Sequence, residues 1–173
     1  MNIKILKPLP EHLITGTFPF GSRVYGNHID ESDFDFLKIV NFDTGEVILQ
    51  YKDGDIDYVY TGLRSFLRDL EKGASQINFE VLHTEEFQSN FKIDPIVFYT
   101  ETNAKAFVGF ARRDLEYPQR VFHINRCIYI AEKIMKKELI KLEDIGKIVI
   151  ENDMEKLTNR VTELRNMLRH GGR

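Results

Sequence analysis

Cysteine is almost missing from this chain: Cys127 is the single one in 173 residues. One cysteine forms no internal disulfide, which fits a reducing compartment. Long apolar runs are missing as well. None approaches the roughly 20 residues that a membrane-spanning helix needs. The opening residues, MNIKILKPLPEH, lack the unbroken apolar core of a secretory signal. An excess of positive charge is also absent, since 24 Lys and Arg stand against 27 Asp and Glu, for a net charge of −3. That argues against a general nucleic-acid footprint, which is strongly basic, while leaving room for a local basic patch. No repeat and no low-complexity tract breaks the chain. The expectation is a cytoplasmic protein with no membrane contact. What the chain does have is apolar material for a core, with 42% hydrophobic residues and thirteen Phe. Its length suits one domain, or a small domain with a helical appendage.

The most informative stretch is Gly21-Ser22-Arg23-Val24-Tyr25-Gly26, followed by Ser32-Asp33-Phe34-Asp35-Phe36. Side chains at i and i+2 of a strand point to one face, so Asp33 and Asp35 present two carboxylates together. Like charges that close are unfavourable unless something positive sits between them. A divalent ion of the magnesium type, which prefers carboxylate oxygens and leaves room for phosphate oxygens, suits such a pair. The Gly-Ser turn offers backbone N–H groups and a small hydroxyl to a triphosphate tail. The bland alternative is a solvated turn in the acidic stretch DESDFD. A calcium loop starting at Asp30 fails, because Phe34 stands where an oxygen ligand is needed and Asp35 where glycine is needed. Ser22 lies in no G-x-S-x-G elbow, so it reads as a phosphate ligand rather than a nucleophile. Arg23 reads equally well as a phosphate contact or as the partner of a nearby aspartate.

The surrounding pattern is consistent. Ile14 to Phe20 reads as a first strand ending at the Gly-Ser turn. Residues 22–28 read as a short helix or an irregular turn. Asp35 to Val40 is a buried strand, and 41–45 a turn. Glu46 to Tyr51 and Asp55 to Tyr60 form a hairpin around Asp53-Gly54. This places Asp57 on a strand near the Asp33/Asp35 strand. Asp55 shares its strand face but lies beside the turn, where a solvated role suits it better. Leu63 to Glu71 is helical, with Leu63, Phe66, Leu67 and Leu70 on one face, and Gly73 ends it. Ile77 to Leu82 is a short strand or the start of a helix. Helices are expected over 103–116, about 119–137 and about 153–170, with Pro118 separating the first two. The expected division is 1–100, a mixed α+β core, and 101–173, a helical region packed on it.

This arrangement resembles the DNA polymerase β superfamily of nucleotidyltransferases, whose signature is G-S, a spacer, then D-x-D among apolar residues, with a third carboxylate on a neighbouring strand. The text GSRVYGNHIDESDFDFLKIV is most similar to a bacterial and phage branch, the polymerase-β-like proteins associated with RNA repair. That branch also carries a third aspartate before an F-L-R-type helix, a K-G turn, and an apolar segment with a glutamate. Asp57, Phe66-Leu67-Arg68, Lys72-Gly73 and Phe79-Glu80-Val81-Leu82 fit these in turn. Its G-[YF]-A-[RK] and H-x-x-R helices match Gly109-Phe110-Ala111-Arg112 and His123-Ile124-Asn125-Arg126. The similarity runs from about residue 14 to about residue 142. Two departures concern Glu80: Ala74-Ser75 replace the usual Asn-Pro, and the segment before Glu80 is one residue longer.

The resemblance implies a minimal α+β nucleotidyltransferase core followed by a helical C-terminal region. It implies transfer of a nucleoside monophosphate from an NTP to a hydroxyl of RNA, a protein or a small molecule, with release of pyrophosphate. Asp33, Asp35 and Asp57 would bind two Mg2+ ions, with Mn2+ as a substitute. Gly21, Ser22 and Arg23 would hold the nucleotide. His123 and Arg126 lie one turn apart and share a helix face. They would touch the nucleotide or an acceptor strand, or else form a hydrogen-bonded core pair. Lys105, Arg112 and Arg113 form a basic stripe or a solvated helix face. Leu157, Val161, Leu164 and Leu168 recur at helical spacing, as packing against the domain or as a partner seam. The alternative function is an antitoxin-like or nucleotide-sensing module that works through a protein partner.

Overall fold

A computed structural model of the protein describes residues 2–26 and 32–170. Asp30 and the beginning of the acidic stretch therefore lie outside the described residues, as does the Gly171-Gly172-Arg173 tail. The chain divides into two compact units, residues 1–70 with 75–94, and residues 71–74 with 95–173.

The first unit is built on a mixed five-stranded sheet. Its strands are β1 (Asn2–Lys4), β2 (Ile14–Phe20), β3 (Phe34–Val40), β4 (Ile48–Asp53) and β5 (Ile56–Gly62), in the order β1-β4-β5-β3-β2. β3 lies parallel to β5 and antiparallel to β2, and β4 and β5 form the hairpin expected at Asp53-Gly54. β2 ends the sheet on one side, with Pro19 opposite Phe36, and β1 ends it on the other. Alternation sorts the side chains by face. Phe18, Leu37 and Ile39 are buried on one side. On the opposite side Phe36, Tyr51 and Tyr58 stack with centroids 6.0 Å apart in each neighbouring pair.

Helices α1 (Ser22–Tyr25), α2 (Leu63–Glu71), α3 (Gln76–Leu82) and α4 (Glu85–Phe91) complete this unit. An aromatic cluster ties helices to sheet: the Phe87 ring lies 5.3 Å from Phe18 and 4.9 Å from Phe66. The segment 77–82, readable as strand or helix, is helix. Ser75 caps it, its hydroxyl accepting from the Asn78 N–H at 3.2 Å. Buried Phe79, Val81 and Leu82 hold it in the core.

The second unit is helical: α5 (Glu101–Asp114), α6 (Val121–Lys136), α7 (Leu142–Ile145) and α8 (Met154–His170). Helices α5, α6 and α8 pack on one another, and the seam Leu157, Val161, Leu164 and Leu168 is buried among them. The expected boundary at residue 100 shifts to residue 95 for a local reason. The Tyr99 hydroxyl accepts from the Ile140 N–H at 2.9 Å, and Lys137 Nζ donates to the Tyr99 carbonyl, so this segment is bound to the helices. Residues 71–74 join the same unit because Gly73 lies against Ala106; a Cβ on Gly73 would come within 2.8 Å of the Ala106 methyl. Among the described residues no helix is long and apolar enough to cross a membrane.

Candidate functional site

Strand register assembles the acidic cluster. Asp35 on β3 pairs directly with Asp57 on the parallel strand β5. Directly paired residues of adjacent strands share a face, so the two carboxylates stand side by side. Asp33 precedes β3 by one residue. Asp55 sits in the turn between β4 and β5, exposed, and its carbonyl accepts from the Phe34 N–H at 2.8 Å. Its contribution is to the ladder; Asp57 is the aspartate beside Asp35.

Two further groups reach this cluster. Lys52, opposite Asp57 on β4, places Nζ 3.0 Å from Asp33 Oδ2 and 3.3 Å from Asp57 Oδ2. Those hydrogen bonds raise the Lys52 pKa. Glu80, only 4% exposed, comes from α3 and accepts from the Gly21 N–H at 3.4 Å. Helix geometry thus resolves the standing of Glu80, which sequence spacing left open: it belongs to the Gly-Ser turn.

The turn itself is shaped by the aspartates. Gly21 has φ +82°, a left-handed conformation that glycine adopts freely. A Cβ there would lie 2.6 Å from Asp35 Oδ2, so the carboxylate and the turn are in direct contact. Ser22 opens the short helix α1, which closes on Gly26. Among the described residues Arg23 is not the partner of an aspartate. Its Nε and Nη2 donate to the Ser32 carbonyl at 3.2 and 2.7 Å, and its guanidinium lies 3.6 Å above the Phe34 ring. Arg23 therefore fixes the backbone immediately before Asp33.

Electrostatics converge on Asp35. Burial first, then the charges of Asp57, Asp33 and Glu80, opposed by Lys52, push its pKa up to about 6. More negative charge gathers here than one lysine offsets. Among the described residues no three side chains already form a closed metal-binding group. The donor set nonetheless suits a hard cation: all its ligands are carboxylate oxygens, and Lys52 already puts a positive charge between two of them. The residues there that could hold such an ion are Asp33, Asp35 and Asp57.

His123 and Arg126 belong to the second unit. Asp114, wholly buried at the end of α5, organises that neighbourhood. It accepts from Arg113 Nε at 3.1 Å and Arg120 Nη1 at 2.9 Å, and its second oxygen meets His123 Nδ1. Burial would raise the Asp114 pKa, but the two arginine hydrogen bonds overcome it and the net shift is downward. Burial, with the charge of Arg126, lowers His123 to about 4 despite Asp114. His123 is thus neutral at pH 7, a ring held in place by a carboxylate. Sequence reading missed Asp114; its run Arg112-Arg113-Asp114 before the helix-ending turn was the available signal.

Compared with models of known protein families and with curated proteins, the chain matches none.

Proposed function

We propose that the protein is a metal-dependent nucleotidyltransferase of the polymerase-β type. It would move a nucleoside monophosphate from an NTP to an acceptor hydroxyl and release pyrophosphate. The observation that carries this reading is the pairing of Asp35 and Asp57 on neighbouring strands, with Asp33 just before β3 and the Asp35 carboxylate against positive-φ Gly21 of the Gly-Ser turn. Asp33, Asp35 and Asp57 would hold Mg2+, which when bound supplies the positive charge that stabilises the attacking and leaving oxygens. Ser22 offers its backbone N–H and hydroxyl as donors to the β- and γ-phosphates. The acceptor hydroxyl oxygen attacks the α-phosphorus, the bond to pyrophosphate breaks, and Asp57 takes the hydroxyl proton. Glu80 holds the turn through the Gly21 N–H. Lys52 offsets part of the cluster's charge before substrate arrives.

An exposed apolar face over residues 157–168 would favour the partner-module reading; Leu157, Val161, Leu164 and Leu168 are buried within the second unit. The deciding experiment incubates the protein with each labelled NTP, Mg2+ and a panel of RNA, protein and small-molecule acceptors. Label transfer that chelator abolishes supports the reading. Absence of transfer, together with nucleotide binding that ignores Mg2+, refutes it.

A further inference from the structure

A cavity of about 190 Å³ opens between α5 and α8, inside the second unit. Val108 and Leu168 are buried and form its apolar floor. Lys105 and Arg112 from α5, and Arg165 and Arg169 from α8, also line it. Lys105 is paired with Glu101. Among the described residues Arg112, Arg165 and Arg169 have no carboxylate in ion-pair range. Other arginines of this unit do: Arg160 holds Glu132 at 2.7 Å and Glu163 at 2.5 Å, and Arg113 and Arg120 share Asp114. In a chain with more acids than bases, three guanidiniums gathered without an acid are unusual. Their crowding is felt within the cluster, since Arg169 and Arg112 lower the Arg165 pKa. Gly109 supplies a second, independent observation. It sits inside α5, where glycine weakens a helix relative to alanine. No packing neighbour requires it, because a Cβ there would meet nothing within 4 Å. The missing side chain leaves open space on the cavity wall.

We propose that this cavity is an anion site for a phosphate-bearing ligand with at least two negative charges. Planar guanidiniums match phosphate oxygens in a bidentate fashion, which an ammonium cluster does not. Pockets that enclose whole ligands run to about 300–1,000 Å³, so this smaller cavity suits a phosphate moiety on an apolar floor. The phosphate comes from a free polyphosphate or from the backbone of an RNA strand. The inference rests on the second unit alone and survives if the aspartate cluster proves inactive.

The test uses the full chain in chelator, so that no metal-dependent binding at the aspartates contributes. Inorganic tripolyphosphate and a single-stranded RNA hexamer are titrated separately by calorimetry, at low and moderate salt. Saturable binding that weakens with salt is expected for at least one probe; which probe binds identifies the source. Arg112→Gln/Arg165→Gln should weaken binding at least tenfold. Gly109→Leu should block it, with circular dichroism and melting reporting an intact fold. Lys136→Gln/Lys141→Gln removes equal charge elsewhere on the unit and should leave affinity within twofold. Failure of both probes to bind, or equal losses in the two double variants, overturns the proposal.

Discussion

Asp55 and Asp57 are two residues apart, yet the strand register gives them different work. Asp57 stands beside Asp35, while Asp55 supports the ladder through its backbone. Asp57→Ala is expected to abolish transfer with the fold intact, and Asp55→Ala to leave activity within a fewfold, as labelled-NTP assays and circular dichroism would report. Equal losses would mean that both serve the site. The same cluster predicts a gain. Asp35 has a folded pKa of about 6 against an ordinary 3.8, so its ionisation opposes folding as pH rises across that interval. Asp33→Asn/Asp35→Asn removes that opposition in full above about pH 6. The exposed Asp33–Lys52 bond it loses is worth less than about 1 kcal/mol. In chelator at pH 7.5 the double variant should therefore melt no lower than the parent, while transferring no nucleotide in Mg2+. A double variant that melts well below the parent and still transfers nucleotide would remove the catalytic role of the pair.

Among elements, α3 decides where Glu80 goes, and its start depends on the Ser75 cap. Ser75→Ala should cost about 1 kcal/mol by chemical denaturation. It should also lower transfer by more than that destabilisation explains, because Glu80 then holds the Gly21 N–H less well; rescue by Ser75→Asp would confirm the cap. The element also shows what sequence could and could not say. β3, β5 and α2 were legible because alternation and helical spacing repeat over enough residues to be distinctive. Ile77, Phe79 and Val81 alternate like a strand, and the competing signal, a capping serine three residues before Asn78, is a single side chain. β1 is three residues long and carries no periodicity at all. The parallel pairing of β3 with β5 depends on which strands become neighbours, a tertiary fact. Lys52, by contrast, could have been found. A two-residue turn at Gly54-Asp55 pairs Asp53 with Ile56 and therefore Lys52 with Asp57. The site was thus readable as a list of aspartates, while its counter-charge required counting register across a hairpin.

At the scale of the whole molecule, two histidines make stability sensitive to acid. His83 is pulled down to about 4 by burial, its Nδ1–H donating to the Phe79 carbonyl at 2.7 Å. His123 lies near the same value. An unfolded histidine takes up its proton near 6.5, so between about 6.5 and 4 the unfolded chain binds more protons than the folded one. Stability falls as pH drops through that window. Asp35 acts in the opposite sense below pH 6, one group against two. The melting temperature in chelator is expected to decline steadily from pH 7 to pH 4.5. His83→Gln should flatten part of that slope, and an unchanged slope would show that His83 does not govern it.

The ends of the sheet bear on how the protein behaves when crowded. Open strand edges invite other chains to add on, and a sheet rich in Phe and Tyr is a ready template for such growth. Here β2 carries Pro19, which has no N–H to offer an incoming strand, and β1 stops after three residues. Each border is thereby a poorer template for extension, one through a missing donor and the other through a short strand. The aromatic row of Phe36, Tyr51 and Tyr58 thus lies on a sheet whose two margins are poor templates for an added strand.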